Sequence, residues 1–311
     1  MPMPQTSAVH ISAALSNVSV QYRNADFVAQ RILPLVTVAK PADQIFLYKK
    51  GDVFRRQSTL VGLTTKVQED YYSMDTPISY QVKYHALKGF VPYQLQRAAD
   101  SPLNPKMDEA EFLTSKILLD IEIETADLVF ASGTYAASNK ATPTTKWGDA
   151  SSSPLTDIRT AINAFVGVPG PYTMAIGAAA WEVLSRHPDV LAAFQLSVGG
   201  GVEATTAQMA SWFKLDEIIV CDPWVNSGVR GGTDSFGRIW SDHCLIFKRE
   251  TGLTVRSAGL GFTLQFEPFK VIEWEDLDVG PDGGTAVKPS MSCVPKVLAA
   301  DAGYLIYDVV A

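Results

Sequence analysis

From Asp26 to Arg56 the chain is apolar and basic, yet no element long enough to bury itself can be drawn through it. Phe27-Val-Ala-Gln-Arg-Ile-Leu-Pro-Leu-Val-Thr-Val-Ala-Lys-Pro is followed by Ile45-Phe-Leu-Tyr-Lys-Lys-Gly-Asp-Val-Phe-Arg-Arg. Pro34 and Pro41 forbid both a continuing helix and a central strand there. Apolar chain that cannot build its own core finds one on another subunit, as arms and swapped elements do. The expectation is that the leading part of the chain completes its burial on sister copies.

Charge is divided along the same line. Residues 1–60 hold seven basic groups against three acidic ones, a balance of +4, so with a net charge of −7 the remaining 251 residues carry −11. Such asymmetry marks an interaction surface or a solvated loop. A net negative charge without clustered Lys and Arg argues against general affinity for nucleic acid. At 311 residues and 47% hydrophobic content the chain is long enough for one large or two ordinary domains with a sizeable core. No run approaches the ~18 apolar residues of a membrane span, and Met-Pro-Met-Pro-Gln lacks a signal-peptide pattern, so a cytoplasmic site of synthesis is expected. Cys221, Cys244 and Cys293 are widely spaced and read as buried structural thiols.

Residues 1–25 read as an arm. Ile78, Tyr80, Val82 and Tyr84 alternate with Ser79, Gln81 and Lys83, which predicts a half-exposed strand, paired with a strand near 45–65 in a long two-stranded projection. An isolated ribbon of that kind is marginal in water and needs a surface to lie upon. Asn104-Pro105 is a helix start, and Asp108, Glu109 and Glu111 suit its positive end. Leu113, Ile117, Ile121 and Leu128 give one buried stripe over Asp108 to Phe130, with Asp120, Glu122, Glu124 and Asp127 mostly off it. The Ser/Thr/Gly/Pro-rich stretch 132–153 predicts a surface loop between two domains. Beyond it, helices at 155–166, 178–194 and 205–213 alternate with short strands at 172–176 and 217–221. An exposed loop follows at 228–237, then strands at 243–248, 262–274 and 287–297 and a terminal strand. That order suggests an α/β layer.

Chemistry is hard to place on this chain. No Gly-x-Ser-x-Gly elbow is present, and His243 and Cys244 would point to opposite faces of a strand. His10, His85, His187 and His243 show no metal spacing, and neither Gly199-Gly-Gly nor Gly259-Leu-Gly completes a phosphate or dinucleotide loop. Glu273, Glu275, Asp276 and Asp278 lack the spacing of a calcium loop. No catalytic residue, cofactor or metal is expected.

The order of arm, long β projection, long helix, α/β lobe and paired-strand return resembles the major capsid proteins of tailed bacteriophages with the Hong Kong 97-like fold, an α+β fold. The most specific stretches are Asp26-Phe-Val-Ala-Gln-Arg-Ile-Leu-Pro-Leu-Val-Thr-Val, Lys50-Gly-Asp-Val-Phe-Arg and Asp301-Ala-Gly-Tyr-Leu-Ile. The resemblance implies an N-terminal arm at 1–45, an extended loop at 46–92 and a peripheral domain at 93–159 with its spine helix at 105–131. It further implies an axial domain at 160–261, return strands of the peripheral domain at 262–298 and a last axial strand at 299–311. It implies a structural role in the virion, not an enzyme, in an icosahedral shell of hexamers and pentamers. Partners would be other copies of the chain, a separate scaffold or none, a portal and decoration proteins, with packaged DNA met only indirectly and no membrane.

Arm and loop would then lie over neighbouring subunits. The expected interface residues are Phe27, Ile32, Leu33, Ile45, Phe46 and Phe54 as apolar anchors. Basic Arg31, Lys49, Lys50, Arg55 and Arg56 are expected to approach acidic Asp120, Glu122, Glu124 and Asp127 of the next spine helix. Two alternatives stay open: an α/β enzyme, hydrolase-like, with dispersed catalytic groups, and a cargo-holding nanocompartment shell of the encapsulin type.

Overall fold

A computed structural model describes residues 24, 27–99, 104–198, 203–252 and 259–310, of 195–198 the backbone alone; the expected arm at 1–25 lies outside them save for Asn24. The helices in chain order are α1 (Ala29–Ile32), α2 (Lys50–Phe54), α3 (Tyr93–Ala98), α4 (Pro105–Val129), α5 (Pro154–Asn163), α6 (Ala178–Ser185), α7 (Pro188–Val198) and α8 (Thr206–Phe213). The strands are β1 (Leu35–Thr37), β2 (Ala42–Ile45), β3 (Ile78–Gln81), β4 (Lys83–Ala86), β5 (Gly89–Pro92), β6 (Lys140–Ala141) and β7 (Thr173–Gly177). They continue as β8 (Glu217–Cys221), β9 (Trp224–Asn226), β10 (Phe236–Arg238), β11 (Cys244–Phe247), β12 (Gly261–Asp276), β13 (Gly284–Val297) and β14 (Gly303–Ile306).

Short apolar strands that are buried on both faces make the sheet of the α/β lobe, in the order β6-β14-β11-β7-β8. Successive side chains point to opposite faces. Met174, Ile176, Cys244, Ile246 and Ile306 therefore enter one core with Trp147, Leu184 and Met209, while Ala175, Leu245, Phe247 and Leu305 enter another with Ile32, Leu33, Val129 and Trp240. Because both layers are apolar, these strands read as continuous hydrophobic runs.

The second sheet runs β1-β12-β13-β4, with β5 also pairing with β13. Its backbone is the long antiparallel hairpin of β12 and β13, joined by the Gly280-Pro-Asp-Gly-Gly turn, where Gly280 and Gly283 take positive φ. The pairing shifts register between Gln265 and Lys270, across Pro268, and past that point β12 is largely exposed. Leu35, Met291 and Cys293 meet the spine helix on one face, and Phe262, Leu264 and Val294 meet Tyr80 and Val82 in another cluster.

Helix α4 begins at Pro105, with the Asn104 side chain accepting from Met107 N at 3.5 Å, and its 25 residues run about 37 Å at 1.5 Å per residue. Its buried face drifts along the length because a straight helix slips against a seven-residue stripe. Leu113 is buried, Ile117 and Ile121 face the long hairpin, whereas Glu122, Ala126 and Val129 turn toward α1 and the lobe, and Leu128 is only half-buried.

Four expectations are corrected here. The helix predicted over 178–194 is two helices, since Pro188 cannot continue α6 and instead starts α7. The stretch 132–153 is not simply surface loop: Trp147 and Tyr135 are buried, Trp147 N donates to Val309 O at 2.8 Å, and β6 adds to the lobe sheet beside β14. The alternation from Ile78 breaks at Val82, between β3 and β4. Tyr84 consequently faces solvent and His85 turns inward. Finally, the loop 228–237 ends within a small hairpin of β9 and β10.

Candidate intersubunit interface

The front of the chain divides into two parts with opposite environments. The first, residues 27–38, is seated in its own subunit by one buried carboxylate. Glu122 of α4 is fully buried and accepts from Val28 N at 3.0 Å, Ala29 N at 2.8 Å and Trp240 Nε1 at 2.7 Å. Those backbone groups open α1, where no residue of the helix itself can accept from them. Burial raises the Glu122 pKa, opposed by the three donors that favour the carboxylate. With the strand entry fixed, Ile32 and Leu33 pack at the lobe core, Thr263 Oγ1 donates to Leu33 O at 3.0 Å, and β1 adds in parallel to β12.

The second part, beyond β2, has no such seat. A narrow ribbon forms at its base: β2 pairs with β3, Tyr48 bridges to Met74, Lys49 N donates to Ser73 O at 3.0 Å, and Asp75 N to Leu47 O at 2.7 Å. Asp52 accepts from Ser73 N at 2.9 Å and from the Ser73 hydroxyl, which holds its carboxyl below the usual range. From Val53 to Pro77 every residue is exposed, including Phe54, Leu60, Leu63, Val67, Tyr71 and Tyr72. Covering these six side chains would contribute on the order of 10 kcal/mol. Within the described chain only partial contacts reach them, Phe54 at the surface of the lobe and Tyr72 edge-on to Tyr48.

These positions revise the expected interface set. Ile32 and Leu33 are buried in their own chain and are unavailable to a neighbour, and Phe27 is half-buried beside them. Arg31 pairs with Glu217, whose other oxygen takes Arg249 Nη1 at 3.0 Å. Ile45 is half-buried against the cluster around Tyr80. Phe46, Phe54, Lys49, Arg55 and Arg56 are exposed, with Arg55 Nη2 3.6 Å from Asp52. Lys50 Nζ lies 2.9 Å from Asp301 Oδ2 on the lobe.

The acidic half is corrected at Glu122, which is a buried acceptor and not a surface charge. Asp120 and Glu124 are engaged by His85 and Lys83 of their own β4, and the hydrogen bond from Lys83 to Glu124 raises the lysine pKa. Asp127 is exposed. Sequence reasoning missed Glu122 because charge on a helix reads as a solvated face. Its spacing to Thr125, Ala126 and Val129 was the available signal of a second buried stripe.

Catalytic chemistry has poor footing on these groups. Ser152 Oγ lies 3.0 Å from His187 Nε2, but Asp189 N donates to His187 Nδ1 at 3.2 Å. An Nδ1 that accepts puts the ring proton on Nε2, so this imidazole donates toward Ser152 and cannot take its proton. Cys221, Cys244 and Cys293 are fully buried; burial raises all three thiols, Cys293 to about 12, which removes the reactive thiolate.

Two curated relatives match the chain end to end: the major capsid protein of Pseudomonas phage JBD67, 29% identical over 304 residues and 97% of both chains, and that of Burkholderia phage BcepMu, 27% identical over 309 residues and 95% of both. This chain is a homologue of phage major capsid proteins. Solved structures agree on the fold. A phage-related protein from Bordetella bronchiseptica RB50 superposes with a TM-score of 0.69 at 21% identity over 96% of this chain and 97% of its own. The capsid protein of cyanophage P-SCSP1u gives 0.59 at 11% identity over 99% of both chains. The capsid homologue thus has the Hong Kong 97-like α+β fold of phage shells. No family model matches it.

Proposed function

We propose that the chain is the major head subunit of a phage and assembles with copies of itself into the closed shell of the virion. The observation that carries this reading, beside the homology, is the continuous exposed loop 53–77, with its apolar Phe54, Leu60, Leu63, Val67, Tyr71 and Tyr72, on a body that has its own buried cores. Permanent interfaces bury on the order of 2,000 Å² or more and are apolar, whereas exposed ion pairs contribute ~0.2 to 1 kcal/mol each. Phe46, Phe54 and the loop residues beyond them supply the affinity, and Lys49, Lys50, Arg55 and Arg56 set the register against a neighbour, with exposed Asp127 as an acidic partner on the spine helix.

In this reading 1–45 is the arm, whose end from 27 onward is fixed to the body, 46–92 the extended loop, 93–159 and 262–298 the peripheral domain, and 160–261 with 299–311 the axial domain. Hexamers and pentamers, a scaffold, a portal and decoration proteins are the implied partners. The role is structural, with no catalytic step and only indirect contact with the genome. The phage origin of both curated relatives favours a head over a nanocompartment.

Expression of the chain, alone and with a candidate scaffold, followed by sedimentation and negative-stain microscopy, tests this. Closed shells or capsomer rings are expected. A small discrete oligomer under all conditions would contradict it. Replacing both Arg55 and Arg56 with Glu should impair particle formation while the subunit stays folded.

A further inference from the structure

Between the two parts of the front end, one short helix of the loop does touch the body. Helix α2 lies against the lobe at Gly167: a Cβ there would sit 2.5 Å from Phe54 Cε2 and 2.9 Å from Lys50 Cε. Gly167 has φ +71°, so the notch depends on a residue without a side chain at a backbone conformation that others resist. Beside it Lys50 pairs with Asp301, and Asp301 is held in place because Asn139 Nδ2 donates to the carbonyls of Asp301 and Gly303 at 3.4 and 3.2 Å. Val168, Ala299 and Ala302 form a buried floor below. The seat is well built, while its occupant is loosely held: Phe54 stays 64% exposed, and α2 has no buried residue.

We propose that this notch is a docking seat for α2, filled by the chain's own α2 in the free subunit and by α2 of a second copy in the assembled shell. The inference rests on the shell-forming reading above. Exchange of an identical contact between copies is a low-cost route to assembly, because what is lost within one chain is regained between two. The segments flanking α2 are exposed, and the seat matches its occupant in charge, Lys50 on Asp301. A weak contact within the chain keeps the apolar loop against its own body and still yields to a larger interface.

Charge reversal separates the two occupancies. K50D alone and D301K alone place like charges in the seat both within and between copies, whereas the K50D/D301K double variant restores attraction everywhere and reports on folding. In an equimolar mixture of K50D and D301K chains, contacts within a chain remain repulsive, but both contacts between unlike chains are attractive. The exposed pair should weaken each contact by up to about fivefold, so each single variant should form fewer sedimenting particles, the mixture should form more than the average of the two, and the double variant should behave as the parent chain. Single variants that assemble like the parent, or a mixture that yields only the average of its two components, would overturn the proposal. Failure of the parent chain to form shells at all would instead sink the function on which it rests.

Discussion

Residues 27–38 and 46–77 share apolar and basic composition and an interrupted pattern, yet one is internal and the other is exposed almost throughout. The difference is an acceptor. Glu122 gives the first stretch a place for its unpaired amides, so Ile32 and Leu33 can enter the lobe core, whereas the second stretch meets its own ribbon and, through the unburied helix α2, only the surface of the lobe. Apolar composition therefore marks a need for burial, and the polar partners of the backbone decide where that need is met.

Substitutions can break the comparison from either side. The largest effect is expected at Glu122→Ala, which leaves three buried donors unsatisfied and should destabilise the subunit by about 3 to 6 kcal/mol in urea unfolding. Ile32→Ala should cost about 2 to 5 kcal/mol in the same measurement through lost packing and a residual cavity. Phe46→Ala and Leu63→Ala should change subunit stability by less than about 0.5 kcal/mol. Both should nevertheless reduce particle yield, seen by sedimentation, because their side chains are exposed until copies meet. Equal losses of stability at Ile32 and Leu63 would erase the distinction between the two stretches.

The smallest effect sharpens the role of Glu122. Its folded pKa is raised above the ordinary 4.5, so its contribution to stability is fully present below that value and is lost as pH rises through the raised one. The stability of the parent chain minus that of Glu122→Gln should therefore fall with rising pH across that window. A flat difference would mean that the carboxyl keeps its ordinary pKa on folding.

Much of the fold was legible. Asn104-Pro105 marked the start of the spine helix, and Thr205 the start of α8, where its side chain and Gln208 form a reciprocal cap. These signals are local and depend on few neighbours. Trp147 was lost in a stretch whose Ser, Thr and Gly content says loop, although one indole can anchor such a segment to a core; its Nε1 donates to Asp157 at 2.9 Å. The break of alternation at Val82 was invisible because only tertiary contact with α4 favours His85 over Tyr84 on the inner face. Of the interface set, exposure at Phe46 and Phe54 followed from the absence of any periodic partner. The internal fate of Ile32 and Leu33 depended on a glutamate some ninety residues away.

Hydrogen exchange of the free subunit and of assembled particles, followed residue by residue, bears most directly on all of this. Amides of 27–38 should be protected in both states, and those of 56–70, beyond the hydrogen-bonded base of the ribbon, should exchange freely in the subunit and become protected in the particle. Particles in which 56–70 exchange as fast as in the free subunit would contradict the account.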